Sequence, residues 1–320
     1  MKKPEILVVT PVSHPPGVVE ALRDVGKVIL AEEVSEEDFI SLVESADAVF
    51  TNPNKASFLL GEAQLKAAKR LQVISTASTG LAHIDLGYAK KRAIEVLSLR
   101  SQIDLIEKIS STAEHALALT MSANRRIVSA HQSVLAGGWD YQGFIGRQTD
   151  FLTFGILGHG RLGSKYASFV SPLAGEVLFY DTDAGVVSDF AHRVGSMTEL
   201  FEKSHVISLH CHLSDDTRGL ISAQVLAHAR HDLLLVNTAR GEIVDEKALV
   251  SFLQANPEAR YATDVLAGEI TSPEDSPVLQ FARHSHQITV TPHIGGMTVE
   301  GQQIAYGEAA RQLGEFFSQG

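Results

Sequence analysis

Residues 152–157, Leu-Thr-Phe-Gly-Ile-Leu, lead directly into Gly158-His159-Gly160-Arg161-Leu162-Gly163, a G-x-G-x-x-G spacing between a strand-like run and a helix-like one. No other feature of the chain constrains its fold as much. The first glycine permits a tight turn, the second lets backbone approach a pyrophosphate, and the third lets helix and strand pack closely. The helix that follows offers unpaired N–H groups and the positive end of its dipole to an anion. The next apolar run, 177–180, ends at Asp181, eighteen residues past Gly163. A carboxylate there accepts hydrogen bonds from ribose hydroxyls and repels a 2′-phosphate, so the pattern points to a dinucleotide lacking that phosphate. Asp181 is followed by Thr182 and Asp183, with no adjacent Arg or Lys to meet such a phosphate. Two competing patterns fail. No G-x-x-x-x-G-K-[S/T] occurs, and none of the six tyrosines has a lysine four residues on.

Strand-like and helix-like runs alternate along the rest of the chain, which indicates parallel sheets covered on both faces. Strands are expected at 6–10, 27–31, 47–51, 71–77 and 95–99, and helices at 18–25, 36–46 and 60–70. Ser35-Glu36-Glu37-Asp38 reads as a capping box. Residues 107–126 contain a long helical stretch, and a loop runs from Ala136-Gly137-Gly138-Trp139 to about residue 150. A second series of strands is expected at 152–157, 176–180, 205–210, 233–237, 261–265 and 287–291, before a closing helix at 299–317.

A length of 320 residues suits two domains. With 44% hydrophobic and 20% charged residues, the chain is neither disordered nor collagen-like nor a coiled coil. Its 27 basic and 38 acidic residues give a net charge of −11, a poor match for nucleic acid. Cys211, the only cysteine, excludes an intramolecular disulfide and a multi-cysteine zinc site. The apolar run 6–9 is cut short by Pro11, Pro15 and Pro16, so it does not read as a signal peptide. No run approaches the roughly 20 residues that span a bilayer, and a cytoplasmic protein is expected. His210-Cys211-His212 would set two imidazoles on one strand face, yet no third ligand is evident and no metal is expected.

Three further segments carry chemistry: Val236-Asn237-Thr238-Ala239-Arg240-Gly241, Thr263-Asp264-Val265 with Glu269 five residues beyond Asp264, and Thr291-Pro292-His293-Ile294-Gly295-Gly296. Each follows or ends an expected strand, where α/β sheets place their ligands. Together they offer what hydride transfer to a 2-keto acid needs: a cation for the carboxylate, an acid/base for the hydroxyl proton, and a neighbour that tunes it. With these runs, Ser208-Leu209-His210, Thr217-Arg218-Gly219-Leu220-Ile221 and Glu242-Ile243-Val244-Asp245, the chain resembles the D-isomer-specific 2-hydroxyacid dehydrogenases over nearly its whole length.

That resemblance implies two Rossmann-like, doubly wound parallel-sheet domains with an interdomain cleft. A substrate-binding, flavodoxin-like domain would take 1–103 and 297–320, and an NAD-binding domain 104–296. It implies an NAD-dependent enzyme that usually dimerises through its cofactor domain. Arg240 would grip the substrate carboxylate and carbonyl in a bidentate manner. His293 would be the general acid in reduction and the base in oxidation, with Glu269 bonded to it and favouring its charged form. Asp264 would contact the nicotinamide amide. Gly158, His159, Gly160, Arg161, Leu162, Gly163, Asp181, His210, Thr217, Thr238, Ala239 and Gly295 would complete the cofactor site. Ser78-Thr79-Gly80 would hold the substrate carboxylate through backbone N–H groups. The chain departs from the family at three places. Ser78-Thr79-Gly80-Leu81-Ala82-His83 replaces a Gly-x-Gly-x-Asp-Asn loop, His159 stands at an apolar position, and His212 replaces a proline.

Within the family, Thr51-Asn52-Pro53-Asn54-Lys55, Ser98-Leu99-Arg100 and Ser111-Thr112-Ala113-Glu114-His115 are most similar to the D-3-phosphoglycerate dehydrogenase branch. Lys55 and Arg100 are then candidates for a substrate phosphate. If both are plain surface cations, hydroxypyruvate or glyoxylate is the expected keto acid. The chain ends at Gly320, so a C-terminal regulatory domain and feedback inhibition by serine through it are not expected. A non-catalytic NAD(H)-sensing regulator on the same fold is the alternative of a different class, disfavoured because Arg240, Glu269 and His293 are all kept.

Overall fold

Ile6, Leu7 and Val8 are all fully buried, because parallel strands covered on both faces bury successive side chains in opposite layers. The computed structural model describes residues 3–53 and 58–319. Lys55 therefore lies outside the described residues. Ile6 and Val8 join Val18, Leu22, Tyr306 and Leu313, while Leu7 and Val9 join Phe39, Val43 and Leu65. Burying each such Leu, Ile or Phe contributes about 1.5–3 kcal/mol. The strands are β1 (Glu5–Val8), β2 (Lys27–Leu30), β3 (Ala48–Thr51), β4 (Val73–Thr76) and β5 (Glu95–Leu97). They pair in parallel in the order β2-β1-β3-β4-β5, a doubly wound sheet. The last helix, Val299–Ser318, packs on it. The Ser75 hydroxyl donates to the Ala309 carbonyl at 3.0 Å, and the Thr10 and Tyr306 hydroxyls meet at 3.1 Å. Met1–Ile109 and Gly296–Gly320 thus form one compact unit.

Ser110–Gly295 form the other. Its strands are β6 (Thr153–Leu157), β7 (Glu176–Tyr180), β8 (His192–Arg193), β9 (Val206–Leu209), β10 (Leu234–Asn237), β11 (Arg260–Thr263) and β12 (Ile288–Val290). All pairs are parallel, in the order β12-β11-β10-β9-β6-β7-β8. Leu233 and Leu235 face Phe201 and Leu249, whereas Leu234 and Val236 face Ala113, Phe154 and Tyr166. The chain runs outward from β6 through β7 to β8, then returns to β9 on the other flank. This reversal makes the switch point where α/β sheets bind ligands. The expected pair of doubly wound parallel sheets is present.

Several local expectations need correction. The helical stretch expected within 107–126 is Ser111–Asn124, and it ends just before Arg126, whose left-handed φ of +52° breaks the helix. A second helix, Ile127–Leu135, follows and was not evident in the sequence. The capping box after Ser35 is only half formed. Asp38 N–H donates to Ser35 Oγ at 3.1 Å, but the Asp38 carboxylate accepts a hydrogen bond from the Ser35 hydroxyl at 2.8 Å instead of reaching back to backbone. β9 stops at Leu209, so His210 and His212 share no strand face. Among the described residues no three His, Cys, Asp or Glu side chains cluster as metal ligands, and no helix is long and apolar enough to cross a membrane.

Candidate active site

The sheet order sets the carboxyl-end loops of the second unit side by side. From β12 to β7 they carry His293, Asp264 with Glu269, Thr238 with Arg240, His210, the glycine loop and Asp181.

At the glycine loop, Gly158 has a φ of +87°, and a Cβ there would lie 2.8 Å from the Cys211 nitrogen. A Cβ on Gly163 would collide with the Gly158 carbonyl, while one on Gly160 would meet nothing within 4 Å. The loop is therefore tight where strand and helix touch and open at Gly160. Helix Arg161–Val170 has no side-chain cap at Gly160, which leaves its first turn to an external anion. Its first residues are Arg161 and Leu162. These features fit a dinucleotide pyrophosphate.

Asp181 Oδ2 accepts the His159 N–H at 2.7 Å and Oδ1 accepts the Asp183 N–H at 2.9 Å. The His159 ring, 4% exposed, stacks on Phe179 at 4.2 Å, and its Nδ1 has no hydrogen-bond partner among the described residues. Sequence adjacency missed a cation here. β8 pairs with β7 and brings Arg193 onto the other side of this loop, 4.9 Å from the Phe179 ring centre. Its guanidinium donates to the carbonyls of Asp181, Asp183 and Val186, so three of its five N–H donors are held by backbone.

His210 Nε2 bonds the Ser208 hydroxyl at 2.9 Å. Burial, and then nearby His159, push its pKa down to about 3. The folded state keeps this imidazole neutral, while the unfolded chain protonates it near 6.5. Its stability contribution is complete above about pH 6.5 and is lost as pH falls toward 3. Chemical denaturation across that window should therefore show a slope up to about 1.4 kcal/mol per pH unit shallower in His210→Asn. Parallel pH dependences in the two proteins would show that His210 is not responsible.

Thr217 Oγ1 serves its own turn, accepting from Ser214 N at 2.7 Å and donating to the His212 carbonyl at 2.6 Å. Thr238 is buried with no partner for its hydroxyl among the described residues. The Ala239 N–H donates to Asn237 Oδ1 at 2.9 Å. Arg240 is half-buried, and its Nη1 donates to the Ala239 carbonyl at 2.6 Å. The next residue, Gly241, packs so closely on Leu266 and Ala267 that a Cβ would collide with their backbone. The Arg240 loop thus lies against the loop that carries Glu269.

Glu269 Oε2 accepts the Leu266 N–H at 3.0 Å, and Oε1 bonds His293 Nδ1 at 2.6 Å. His293 has a left-handed φ of +53°, a conformation costly for a residue with a Cβ. Its N–H donates to the Asp264 carbonyl at 2.9 Å. The Asp264 carboxylate, in a residue only 2% exposed, is committed to the same loop. It accepts from the Thr291 hydroxyl at 2.5 Å, Ile294 N at 2.9 Å and Gly295 N at 2.7 Å. Burial raises the Asp264 pKa, but bonds from His115, Thr291, Ile294 and Gly295 outweigh it and hold the carboxyl below its usual range. The group expected to meet a nicotinamide amide is thus the anchor of the histidine loop.

His115 was missed as a site residue. Its Nε2 lies 2.9 Å from Thr291 Oγ1 and 3.2 Å from Asp264 Oδ1, tying helix Ser111–Asn124 to this anchor. The only signal was its place in a family-like run, which gave no role.

In the first unit, the Ser78–Gly80 loop follows β4 and Arg100 follows β5. Gly80 N–H donates to Ser78 Oγ at 2.9 Å, so one of the N–H groups expected to hold a carboxylate is spent within the loop. Arg100 Nε donates to the Thr79 carbonyl at 2.7 Å, which ties this exposed cation to the same loop.

The sheet order, glycine loop and terminal aspartate define a Rossmann-type dinucleotide-binding protein with a histidine–carboxylate pair beyond the carboxyl ends of its flanking strands β11 and β12. Residues 117–295 match the model of the D-isomer specific 2-hydroxyacid dehydrogenase, NAD binding domain, and the chain belongs to that family. It is 29% identical over 300 residues to the D-3-phosphoglycerate dehydrogenase of Mycobacterium tuberculosis, covering 93% of this chain and 54% of that one. Against the enzyme of the same name from Archaeoglobus fulgidus it is 32% identical over 303 residues, with the same two coverages of 93% and 54%. The chain spans about half the length of these curated relatives. Among solved structures, a phosphoglycerate oxidoreductase from Vibrio cholerae matches with a TM-score of 0.83 and 26% identity, covering 100% of both chains. An NAD-dependent formate dehydrogenase from Staphylococcus aureus, in complex with NAD, matches with a TM-score of 0.84 and 25% identity over 98% of this chain and 96% of that one.

Proposed function

We propose that this protein is an NAD-dependent dehydrogenase that interconverts a D-2-hydroxy acid and its 2-keto acid, with 3-phosphohydroxypyruvate and D-3-phosphoglycerate as the favoured pair. The observation that carries the reading is the 2.6 Å contact of His293 Nδ1 with Glu269, on a loop anchored by Asp264. The bound nicotinamide supplies or accepts the hydride at the substrate C2. Arg240 holds the substrate carboxylate and polarises the carbonyl. Glu269 accepts a hydrogen bond from Nδ1–H, which orients the ring, and Nε2 would exchange a proton with the substrate oxygen. Thr238, with its buried hydroxyl, and the Gly160 backbone would face the cofactor. The Ser78–Gly80 loop and Arg100 would meet the substrate.

The phosphate preference is supported by the relatives' names. The use of Arg100 Nε on a carbonyl favours the second reading, a hydroxypyruvate or glyoxylate reductase. Steady-state kinetics separate them. Reduction of 3-phosphohydroxypyruvate should show a higher kcat/KM than hydroxypyruvate, and Arg100→Ala should narrow the gap. A better rate with hydroxypyruvate or glyoxylate would remove the phosphate reading and leave the reaction class. The same assay tests the cofactor. A unit charge pair 4 Å apart costs about 4 kcal/mol at an effective dielectric near 20. With three of the Arg193 donors held by backbone, Asp181 should therefore lower kcat/KM for the 2′-phosphorylated cofactor by about 10³-fold.

Two copies are proposed to associate through residues 127–151, where Leu135, Trp139, Tyr141 and Phe151 are exposed and Trp139 is 91% accessible. Sedimentation analysis reads this directly. A cytoplasmic setting fits the single cysteine.

A further inference from the structure

Helix Ser111–Asn124 is seated on the second sheet by Ala113, Ala116, Leu119 and Ala123, which pack with Phe154, Val236 and Ala262. From this fixed support His115, with a side chain 17% exposed, reaches the loop that follows β12. Its Nε2 lies 2.9 Å from Thr291 Oγ1 and 3.2 Å from Asp264 Oδ1. The supply of protons sets the direction of these bonds. Thr291 has one hydroxyl proton, and it goes to Asp264 Oδ1 at 2.5 Å. Thr291 Oγ1 is then left to accept from His115, so His115 carries a proton on Nε2. Both the neutral Nε2–H tautomer and the imidazolium supply that proton. The bonds form a directed chain from His115 N–H through the Thr291 hydroxyl to Asp264, and each polarises the next.

The chain ends on the group that grips the catalytic loop from both sides of His293. Asp264 accepts from Thr291 before it and from Ile294 N and Gly295 N after it. The His293 N–H is shared between the carbonyls of Asp264 and Thr291, at 2.9 and 3.0 Å. A residue with a Cβ at a φ of +53° persists only where its surroundings over-determine it. The His115 ring also backs the loop directly, since a Cβ on Gly295 would lie 3.7 Å from its Cδ2. Burial alone would raise the Asp264 pKa, and the bond from His115 leads those that hold it below its usual range. We propose that His115 is a positioning residue for the proton transfer: through Thr291 and Asp264 it holds the His293 loop in its strained geometry. Its effect on turnover rests on the proposed reaction, whereas its effect on the loop does not.

The test compares His115→Met, which keeps a helix-forming side chain of similar reach without the N–H, with His115→Gln, whose amide N–H can replace Nε2–H. Two readouts are taken on the full chain: keto-acid reduction, and amide exchange of His293, Ile294 and Gly295 followed by NMR. In His115→Met, loss of a bond to a charged group should lower kcat by up to about 10–10²-fold and speed exchange of the three amides by a similar factor. KM for the keto acid should change less than about threefold, because the Arg240 loop is held separately by Gly241. His115→Gln should recover most of both losses. A side chain that only fills space would rank methionine equal to or above glutamine. Thr291→Val cuts the same chain from the loop side, so adding His115→Met to it should cost less than about a further threefold in either readout. Should His115→Met fail to fold, Thr291→Val with His115→Gln decides the matter: the first should show both losses and the second neither. The proposal is overturned if methionine and glutamine behave alike, if the two substitutions are additive, or if kcat falls while exchange of the three amides is unchanged. Absence of turnover with every keto acid would remove the proposed reaction, and amide exchange in the same variants would still decide the role of His115.

Discussion

Replacing His293 with asparagine is expected to cut keto-acid reduction by about 10²–10⁴-fold, the usual worth of a positioned general acid. Asparagine is the informative choice because His293 sits at a φ of +53°. That left-handed conformation is tolerated by Asn far better than by Ala, so the backbone of the loop should survive. The Asp264 bonds to Ile294 N and Gly295 N are made by backbone and are retained in the variant. NADH binding, followed by fluorescence, should change little while turnover collapses. A variant that keeps more than a tenth of the parent kcat would remove His293 from the proton-transfer role.

Replacing Arg240 with glutamine is expected to lower kcat/KM by about 10²–10⁴-fold, as the loss of two charge-assisted hydrogen bonds of about 1.5–3 kcal/mol each implies. The loss should fall on both KM and kcat, because in the proposed reaction the same guanidinium would hold the carboxylate in the ground state and polarise the carbonyl in the transition state. Lysine should rescue only part of it, since a point charge cannot reproduce the planar fork. The loop itself should persist. Gly241 is wedged against Leu266 and Ala267, and Asn237 Nδ2 bonds the Arg240 carbonyl at 3.0 Å independently of the side chain. If Arg240→Gln retains the parent KM and kcat, the carboxylate is held elsewhere.

The elements that a sequence displays locally were the legible ones. The turn chemistry of Gly158, Gly160 and Gly163 and the apolar run at Leu233-Leu234-Leu235-Val236 depend on neighbours in the chain, and the strands around them were readable. What escaped depends on distant pairing. Arg193 reaches the Asp181 loop only because a two-residue strand joins β7, too short to leave a pattern. His115 meets Thr291 across 176 residues. Helix Ile127–Leu135 escaped because its boundary is a left-handed arginine, a residue with no breaker signature. Asp264 was readable as a site carboxylate, but its use as an anchor rests on two backbone N–H groups that no sequence pattern marks.

The most direct test of the central claim is NADH oxidation at 340 nm with a panel of 2-keto acids that includes 3-phosphohydroxypyruvate, hydroxypyruvate, glyoxylate and pyruvate, with chiral analysis of the product where the acid has a stereocentre. The account predicts stoichiometric conversion of at least one acid to its D-2-hydroxy acid, with turnover lost in His293→Asn. NADH binding without turnover of any acid would contradict it and favour a non-catalytic NAD(H)-sensing regulator, and an L-product would contradict the assigned stereochemical class.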